Sequence, residues 1–374
     1  MRQMIRALTH WLYAHVVKPI LFRFRPDGVH HGMVAMTRFV QRLPLVRSLP
    51  RLWSFHDPRL ETEVAGVRFD NPIGLSAGFD KEISLPRMMR TVGFGWMTGG
   101  SVTWGEYEGN DGAWFYRLPR TKALVVNAGL PSEGTEVVAN RVAHHDRRLF
   151  ADFPLSVSVA KTNTKACVDD ETAIQDYCAS LTRFDALEQV KLLEINISCP
   201  NTFGGEPFTT PERLEALLGA VDALALTKPV CIKMPINLPF DEFDALLDTI
   251  VAHNVQIVAI GNLHKDRRSV DLKDVLPEGL KGNLSGAPAK RITTELIRHT
   301  YQRYGDKLSI IGIGGVFSAD DAYEKIQAGA SLVALITGMI FEGPSLIGTI
   351  NHDLVELLER DGHQSIADAV GQKA

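Results

Sequence analysis

The chain is poor in cysteine. Its 374 residues include Cys167, Cys178, Cys199 and Cys231, widely scattered and with no CxxC pair. That scatter argues against a zinc ribbon or a disulfide framework and fits a reducing compartment. No run of about 18 uninterrupted apolar residues is present, so no helix is expected to cross a membrane. His10, His15 and Lys18 interrupt the first apolar stretch and no small-residue cleavage site follows, which argues against a signal peptide. No strand runs into a GxGxxG helix start, there is no Walker sequence, and no His/carboxylate set has metal-ligand spacing. No metal is expected. Internal repeats and low-complexity tracts are also missing.

Hydrophobic residues make up 45% of the chain and charged residues 22%, the values of a soluble globular protein. The net charge of −4 hides an asymmetry. Residues 1–56 carry nine Lys or Arg and a single acid, Asp27, so this leader is +8 and the rest of the chain −12. An acidic body disfavours nucleic acid as a partner. In the leader, residues 3–17 place Met4, Ile5, Leu8, Trp11, Leu12 and Val16 at helical spacing, with Arg2, Arg6, His10 and Tyr13 on the other side. A second such segment runs from about His31 to Leu43; Pro19 and Pro26 separate the two, and Pro44 and Pro50 end the region. Two readings fit: an in-plane membrane anchor, or helices that pack on the body or on another subunit. The expected organisation is an amphipathic helical extension over 1–56 and a second unit over 57–374.

From about residue 60, short apolar runs alternate with longer helix-like segments. Glu61 to Phe69 reads as a hairpin that plugs the bottom of the unit built by the later strands. The expected strands are Ile73–Ser76, Trp96–Gly99, Leu155–Val159, Leu192–Ile197, Val230–Lys233, Gln256–Gly261, Ser309–Ile313 and Leu332–Ile336. Eight strands alternating with helices predict an α/β fold, a (β/α)8 TIM barrel; a doubly wound sheet is the alternative. The long segment 101–152 is of a length that usually contributes to function.

Barrel chemistry sits at the carboxyl ends of the strands. Those ends offer Ala77, Gly78 and Lys81; Ser101; Ser158 and Lys161; Asn196 to Asn201; Lys233; Gly261-Asn262; Gly314-Gly315; and Thr337-Gly338. Lys233 lies inside an apolar strand, where an ammonium is costly to bury without an anionic partner. Gly314-Gly315 and Thr337-Gly338 follow the seventh and eighth strands, where barrels commonly bind phosphate; Leu284-Ser285-Gly286, on the loop after the sixth, adds further donors. The run Leu192 to Thr202 reads as a buried strand that delivers Cys199 onto a loop, with Pro200 stopping the strand and Gly204-Gly205 letting the loop move. Taken alone, Cys199 reads first as a buried structural thiol.

Asn71 to Lys81 (NPIGLSAGFDK), Asn196 to Asn201 (NISCPN), Ile311 to Gly315 (IGIGG) and Ala328 to Ser331 (AGAS) together resemble the dihydroorotate dehydrogenases, over about residues 60–350. The resemblance implies a barrel binding FMN that oxidises dihydroorotate to orotate in pyrimidine synthesis. The leader, with Arg25 to His30, is similar to the extension of the quinone-linked, membrane-associated class, which implies a quinone acceptor and peripheral contact through 1–56 at the cytoplasmic face. By the same resemblance, Ala77, Gly78 and Lys81 line FMN and substrate, with Lys81 pairing with the substrate carboxylate. Ser101, Ser158 and Gly261 complete the flavin side, and Gly286, Gly314, Gly315, Thr337 and Gly338 hold its phosphate. Asn127, Asn196, Asn201 and Asn262 bind the pyrimidine. Lys233 stabilises negative charge on the flavin, and Cys199 is the base that removes the C5 proton.

The sequence departs from the family in places. The quinone-linked class has serine at the base position, whereas Cys199 matches the soluble class 1 enzymes. The substrate loop is Asn127-Ala128-Gly129-Leu130-Pro131-Ser132, with its asparagine one residue nearer the glycine. Ser158 replaces an asparagine, and Gly261-Asn262-Leu263 lacks two hydroxyls. These changes spare the phosphate side. They leave two alternatives: a flavin oxidoreductase with another substrate or acceptor, and a non-catalytic flavin-binding protein.

Overall fold

The computed structural model describes residues 2–43, 53–203, 205–206 and 208–374. The expected breaks at Pro44 and Pro50, and the expected hinge residue Gly204, lie outside the described residues.

A tight hairpin comes first in the body: β1 (Thr62–Val64) pairs antiparallel with β2 (Val67–Phe69). Its two turn residues, Ala65 and Gly66, have φ of 50° and 76°, as a two-residue turn matched to strand twist requires. The strands β3 (Ile73–Leu75), β4 (Trp96–Val102), β5 (Phe115–Leu118), β6 (Ala123–Val126), β7 (Leu155–Val159), β8 (Val190–Asn196), β9 (Val230–Met234), β10 (Ile257–Ile260), β11 (Asn283–Gly286), β12 (Ser309–Ile313) and β13 (Leu332–Leu335) come next in the chain. Eight of them, β3, β4, β7, β8, β9, β10, β12 and β13, close a parallel barrel in that order, β13 returning to β3. They are the eight strands expected from the sequence, with ends shifted by up to three residues.

The barrel interior is apolar at the bottom. Val64 and Phe69 of the hairpin pack there with Trp96, Leu192, Cys231, Ile257 and Leu332, so the hairpin does plug this end. Outside the barrel, the helices bury a larger apolar layer against the strands, as in helix-on-sheet packing generally.

The segment 101–152 contains a hairpin, β5–β6, and the helix Thr135–Ala143. Residues Leu284 to Gly286, expected on a loop, instead form β11, which adds antiparallel to β6 and completes a three-stranded sheet over the rim. The pairing joins residues some 160 positions apart in the chain, so local pattern gives no sign of it.

The leader differs from expectation in where its helices begin and end, and the structure shows which side of the first helix faces the body. The helix Arg2–Leu12 does not stop at Pro19. It passes through a π turn, Tyr13–Val17, into Lys18–Leu21, and the wider turn lets the chain accept a proline that has no N–H. The next helix begins at Pro26, not near His31, and runs to Val40. Proline at the first helical position loses no hydrogen bond there, so Pro26 starts this helix instead of separating it from the last. Finally, the first helix turns its polar side inward. Arg6 is buried over the Phe55 ring, Thr9 accepts from Trp53 Nε1 at 3.2 Å, and Tyr13 and Lys18 donate to the carbonyls of Ile340 and Phe341. Met4, Leu8 and Trp11 are left 75%, 66% and 54% exposed.

Candidate active site

A cavity of about 550 Å³ lies between the barrel rim, the β5–β6–β11 sheet and the leader helices. Its inner wall carries Ala77, Gly78, Lys81, Ser101, Asn196 and Cys199, with Asn201, Lys233, Asn262 and Thr337 completing it. Ten of the residues singled out in the sequence are therefore gathered by the topology from six different strand ends.

Each wall residue is placed by strand geometry. Side chains alternate along a strand, so Leu192, Glu194 and Asn196 of β8 share a face, as do Cys231 and Lys233 of β9. The lower members pack in the apolar interior and the upper ones reach the cavity. Lys233 is buried at 6% exposure, and it has no ion pair or hydrogen bond among the described residues. The stem of Lys81 lines the cavity while its Nζ is buried without a hydrogen-bond partner, over the rings of Trp114 and Phe115 at 5.4 and 5.3 Å. Burial lowers the Lys81 pKa to about 8, against the opposing pull of Glu82, Asp27 and Asp80. Two enclosed amines, neither in an ion pair among the described residues, make a site for an anionic ligand.

The amides form a connected network. Asn196 Nδ2 donates to Ser101 Oγ at 2.8 Å, and its Oδ1 accepts from Ser198 N and Oγ. Asn262 Nδ2 donates to Ser198 Oγ at 2.6 Å. Ser101 Oγ lies 2.8 Å from Ser158 Oγ, and Ser158 is fully buried behind it, off the cavity wall. Ser158 has no reach to the cavity; Ser101 stands between.

Cys199 lines the cavity on a loop that several residues fasten down. Asn201 Nδ2 donates to Val126 O at 3.0 Å and its Oδ1 accepts from Asn283 Nδ2 at 3.0 Å, which ties the loop to the sheet. Asn110 donates to Asn201 O, Lys161 Nζ to Phe203 O, and Asn163 Oδ1 accepts from Phe203 N. Burial pushes the Cys199 thiol up to about 11, while the Asn201 N–H and the Lys233 charge pull it down.

The expected phosphate glycines lie off this wall, in the turns around it. Ser285 and Thr337, both on the wall, place their hydroxyls 3.0 Å apart. Gly286 abuts Thr337, where a Cβ would come within 2.8 Å of its Cγ2. Gly315, at φ +70°, packs so closely on the start of the helix Lys290–Tyr304 that a Cβ would fall 2.7 Å from Lys290 Cα. Gly314 lies beside Thr293, Gly338 beside Val316 O and Gly261 against Ile313. Asn127 is also off the wall, its Oδ1 accepting from Asn110 at 3.4 Å.

Asn110, Asn163 and Asn283 were not singled out in the sequence, nor was Arg117, and His30 appeared only within the leader motif. His30 sits at the outer part of the cavity between Phe79 and Phe115, with ring centroids at 5.7 and 5.5 Å. Burial first, then Lys81 and His31, lower its pKa to about 3. Arg117 donates to the carbonyls of Leu21 and Phe24 and lies 4.6 Å from the Phe22 ring, so the sheet is bound to the leader. Each of these residues meets the site only through a long-range contact, and no local spacing signals it.

This architecture defines a (β/α)8 barrel with an anion-seeking rim, covered by a sheet and two leader helices. The chain matches the family described as dihydroorotate dehydrogenase over residues 59–358 and belongs to it. It is 35% identical over 358 residues to the dihydroorotate dehydrogenase (quinone) of Halobacterium salinarum, covering 95% of this chain and 98% of that protein. The protein of the same name from Rhodococcus opacus is 34% identical over 363 residues, 96% of this chain and 99% of that one. Among solved structures, the Eimeria tenella enzyme in complex with ferulenol superposes with a TM-score of 0.82 at 25% identity, covering 93% of this chain and 95% of that chain.

Proposed function

We propose that this chain oxidises dihydroorotate to orotate in pyrimidine synthesis, using FMN held at the barrel rim and passing electrons to a quinone at a membrane surface. One observation carries the reading. A single cavity joins the polar wall at Lys81, Asn196, Cys199 and Lys233 to apolar side chains of the leader, among them Phe22, Met33 and Met36. A polar substrate and an apolar acceptor can thus approach one point from different directions.

The residues fit FMN. Lys233, in no ion pair among the described residues, offers its charge to the ring system, and Ser285 with Thr337 offers hydroxyls beside the glycines for the phosphate. When bound, FMN supplies the two-electron acceptor. The chain's own residues do the rest. Asn196, Asn201 and Asn262 orient the pyrimidine by hydrogen bonds, and Lys81 pairs with its carboxylate. Cys199 takes the proton from C5 in its thiolate form. The thiol is protonated at neutral pH, so deprotonation of Cys199 is part of the cost of the reaction. Lys161, Asn110, Asn163 and Asn283 position the Cys199 loop.

The exposed apolar side of the first helix, set against its polar side on the body, supports peripheral contact with a membrane, for which we propose the cytoplasmic face. No helix among the described residues is long and apolar enough to cross one. The test is the visible spectrum of purified protein under anaerobic conditions. Dihydroorotate should bleach the flavin bands and a quinone analogue should restore them. Saturating substrate without bleaching overturns the proposal.

A further inference from the structure

A second cavity, about 420 Å³, lies where the end of the helix Pro26–Val40 meets the barrel. Its wall is cationic: Arg38, Arg42, Arg87 and Arg141 line it together with His145, and Asp146 is its one carboxylate among the described residues. Arg141 is already engaged by Glu82 and Glu133. Arg38, Arg42 and Arg87 have no carboxylate within ion-pair distance among the described residues, so three guanidinium charges are left over.

The cavity is built into the structure. Arg38 Nε donates to Ser84 Oγ at 2.8 Å, and Gln41 Nε2 donates to Ser84 O at 2.7 Å. Ser84 is itself buried, and buried Asp80 accepts from the backbone N–H groups of Ser84 and Leu85 at 2.9 and 2.7 Å. Arg38 is thereby fixed by one nitrogen, leaving its terminal pair for a ligand. Gln41 lines the same wall. Arginines gathered around a pocket match the oxygens of a phosphate in geometry and charge.

We infer that this cavity binds a phosphate group, separately from the rim site. Two sources share that chemistry: the phosphoglycerol headgroup of an anionic lipid, and free hydrogen phosphate. The lipid source rests on the membrane contact proposed above; the site itself does not. The lipid is favoured by position, since Met36, Phe39 and Leu43, all exposed, flank Arg38, Gln41 and Arg42 in the chain. A basic pocket beside an exposed apolar ridge suits a headgroup whose acyl chains lie alongside.

The test compares two charge-matched pairs in the full chain. Arg42→Gln with Arg87→Gln removes cavity charge, while Arg23→Gln with Arg25→Gln removes the same charge elsewhere on the leader. Arg42→Gln alone, at an exposed position, repeats the first arm with the least risk to folding. Inorganic phosphate is titrated against chloride at equal ionic strength, following the melting temperature. Separately, binding is measured to phosphatidylcholine vesicles with and without phosphatidylglycerol. A saturable response to either probe, weakened about tenfold by the cavity pair and kept by the control pair, supports the site, and the probe that gives it names the source. Equal losses in both pairs, or no response of the unaltered protein to either probe, overturns it.

Discussion

The two ends of the barrel interior are built from the same strands and the same inward face, yet they behave as opposites. At the bottom, Trp96 meets the Phe69 ring edge-on at 5.9 Å and donates to Pro72 O, with Leu192, Cys231 and Leu332 filling the rest. Gly74 makes room for the indole, since a Cβ there would lie 2.1 Å from the ring. Two residues further along β9 the inward position is Lys233, and four along β8 it is Asn196. One end is closed and apolar, and its polar groups are few. The other holds two buried amines, neither in an ion pair among the described residues, and a thiol beside them. Stability is concentrated where the packing is complete, and chemistry where it is left incomplete.

The sharpest way to separate the two ends is to truncate one residue from each. Cys199→Ala should lower turnover on the order of ten-thousandfold, the upper range for a general base, while flavin content and melting temperature stay unchanged. Loss of the bound flavin in this variant would instead make the thiol structural. Because burial raises the Cys199 pKa to about 11, kcat of the unaltered enzyme should climb from pH 7 towards 10 as thiolate accumulates. Trp96→Ala should do the reverse. It should cost about 4 kcal/mol of stability, read by denaturant unfolding, with near-normal turnover in the molecules that remain folded.

A smaller effect comes from Lys81, at the boundary between packing and chemistry. Its pKa lies near 8, so the free enzyme carries the ammonium below that pH and loses it above. Carboxylate binding needs the charged form. The dissociation constant of orotate should therefore rise about tenfold per pH unit above pH 8, whereas kcat should not follow, because the bound carboxylate keeps Lys81 protonated. Lys81→Met should bind weakly and show no such break. A break that persists in the variant assigns it to another group.

How much of this was readable in the sequence follows the same division. The barrel strands are legible because each is a short, mostly apolar run set between longer helix-like segments, and the rim residues are legible because they end those runs or follow them directly. The bottom hairpin is legible from its alternation. What depends on distant partners is not. β11 is a short segment with one apolar residue that becomes a strand only against β6, and Asn110, Asn163 and Asn283 act only because two loops and β11 converge on the loop that carries Cys199. Ser158 sits at an expected strand end but is covered by Ser101, a packing order that no spacing reveals. In the leader the periodicity gives the helices, but their orientation is opposite to that of a helix packed by its apolar side, because Arg6, Tyr13 and Lys18 find partners on the body.

The smallest expected effect uses the other interior thiol as the control for Cys199. Cys231 lies on β9 in the apolar bottom cluster, and burial, with Glu194 nearby, holds its thiol well above the ordinary cysteine value. Buried in that cluster, it is closed off from reagents. Cys231→Ala removes about the volume of one methylene-sized group from a packed site, so it should cost roughly 1 kcal/mol and leave kcat, its pH profile and the flavin spectrum as they were. Alkylation by N-ethylmaleimide should follow the same rule: it should inactivate the unaltered enzyme through Cys199, faster at high pH and more slowly with orotate bound, and should do so equally in the Cys231→Ala variant. If that variant instead loses the pH dependence of kcat, the lower interior is coupled to the rim through Glu194, and the division between a structural and a chemical end fails at β9.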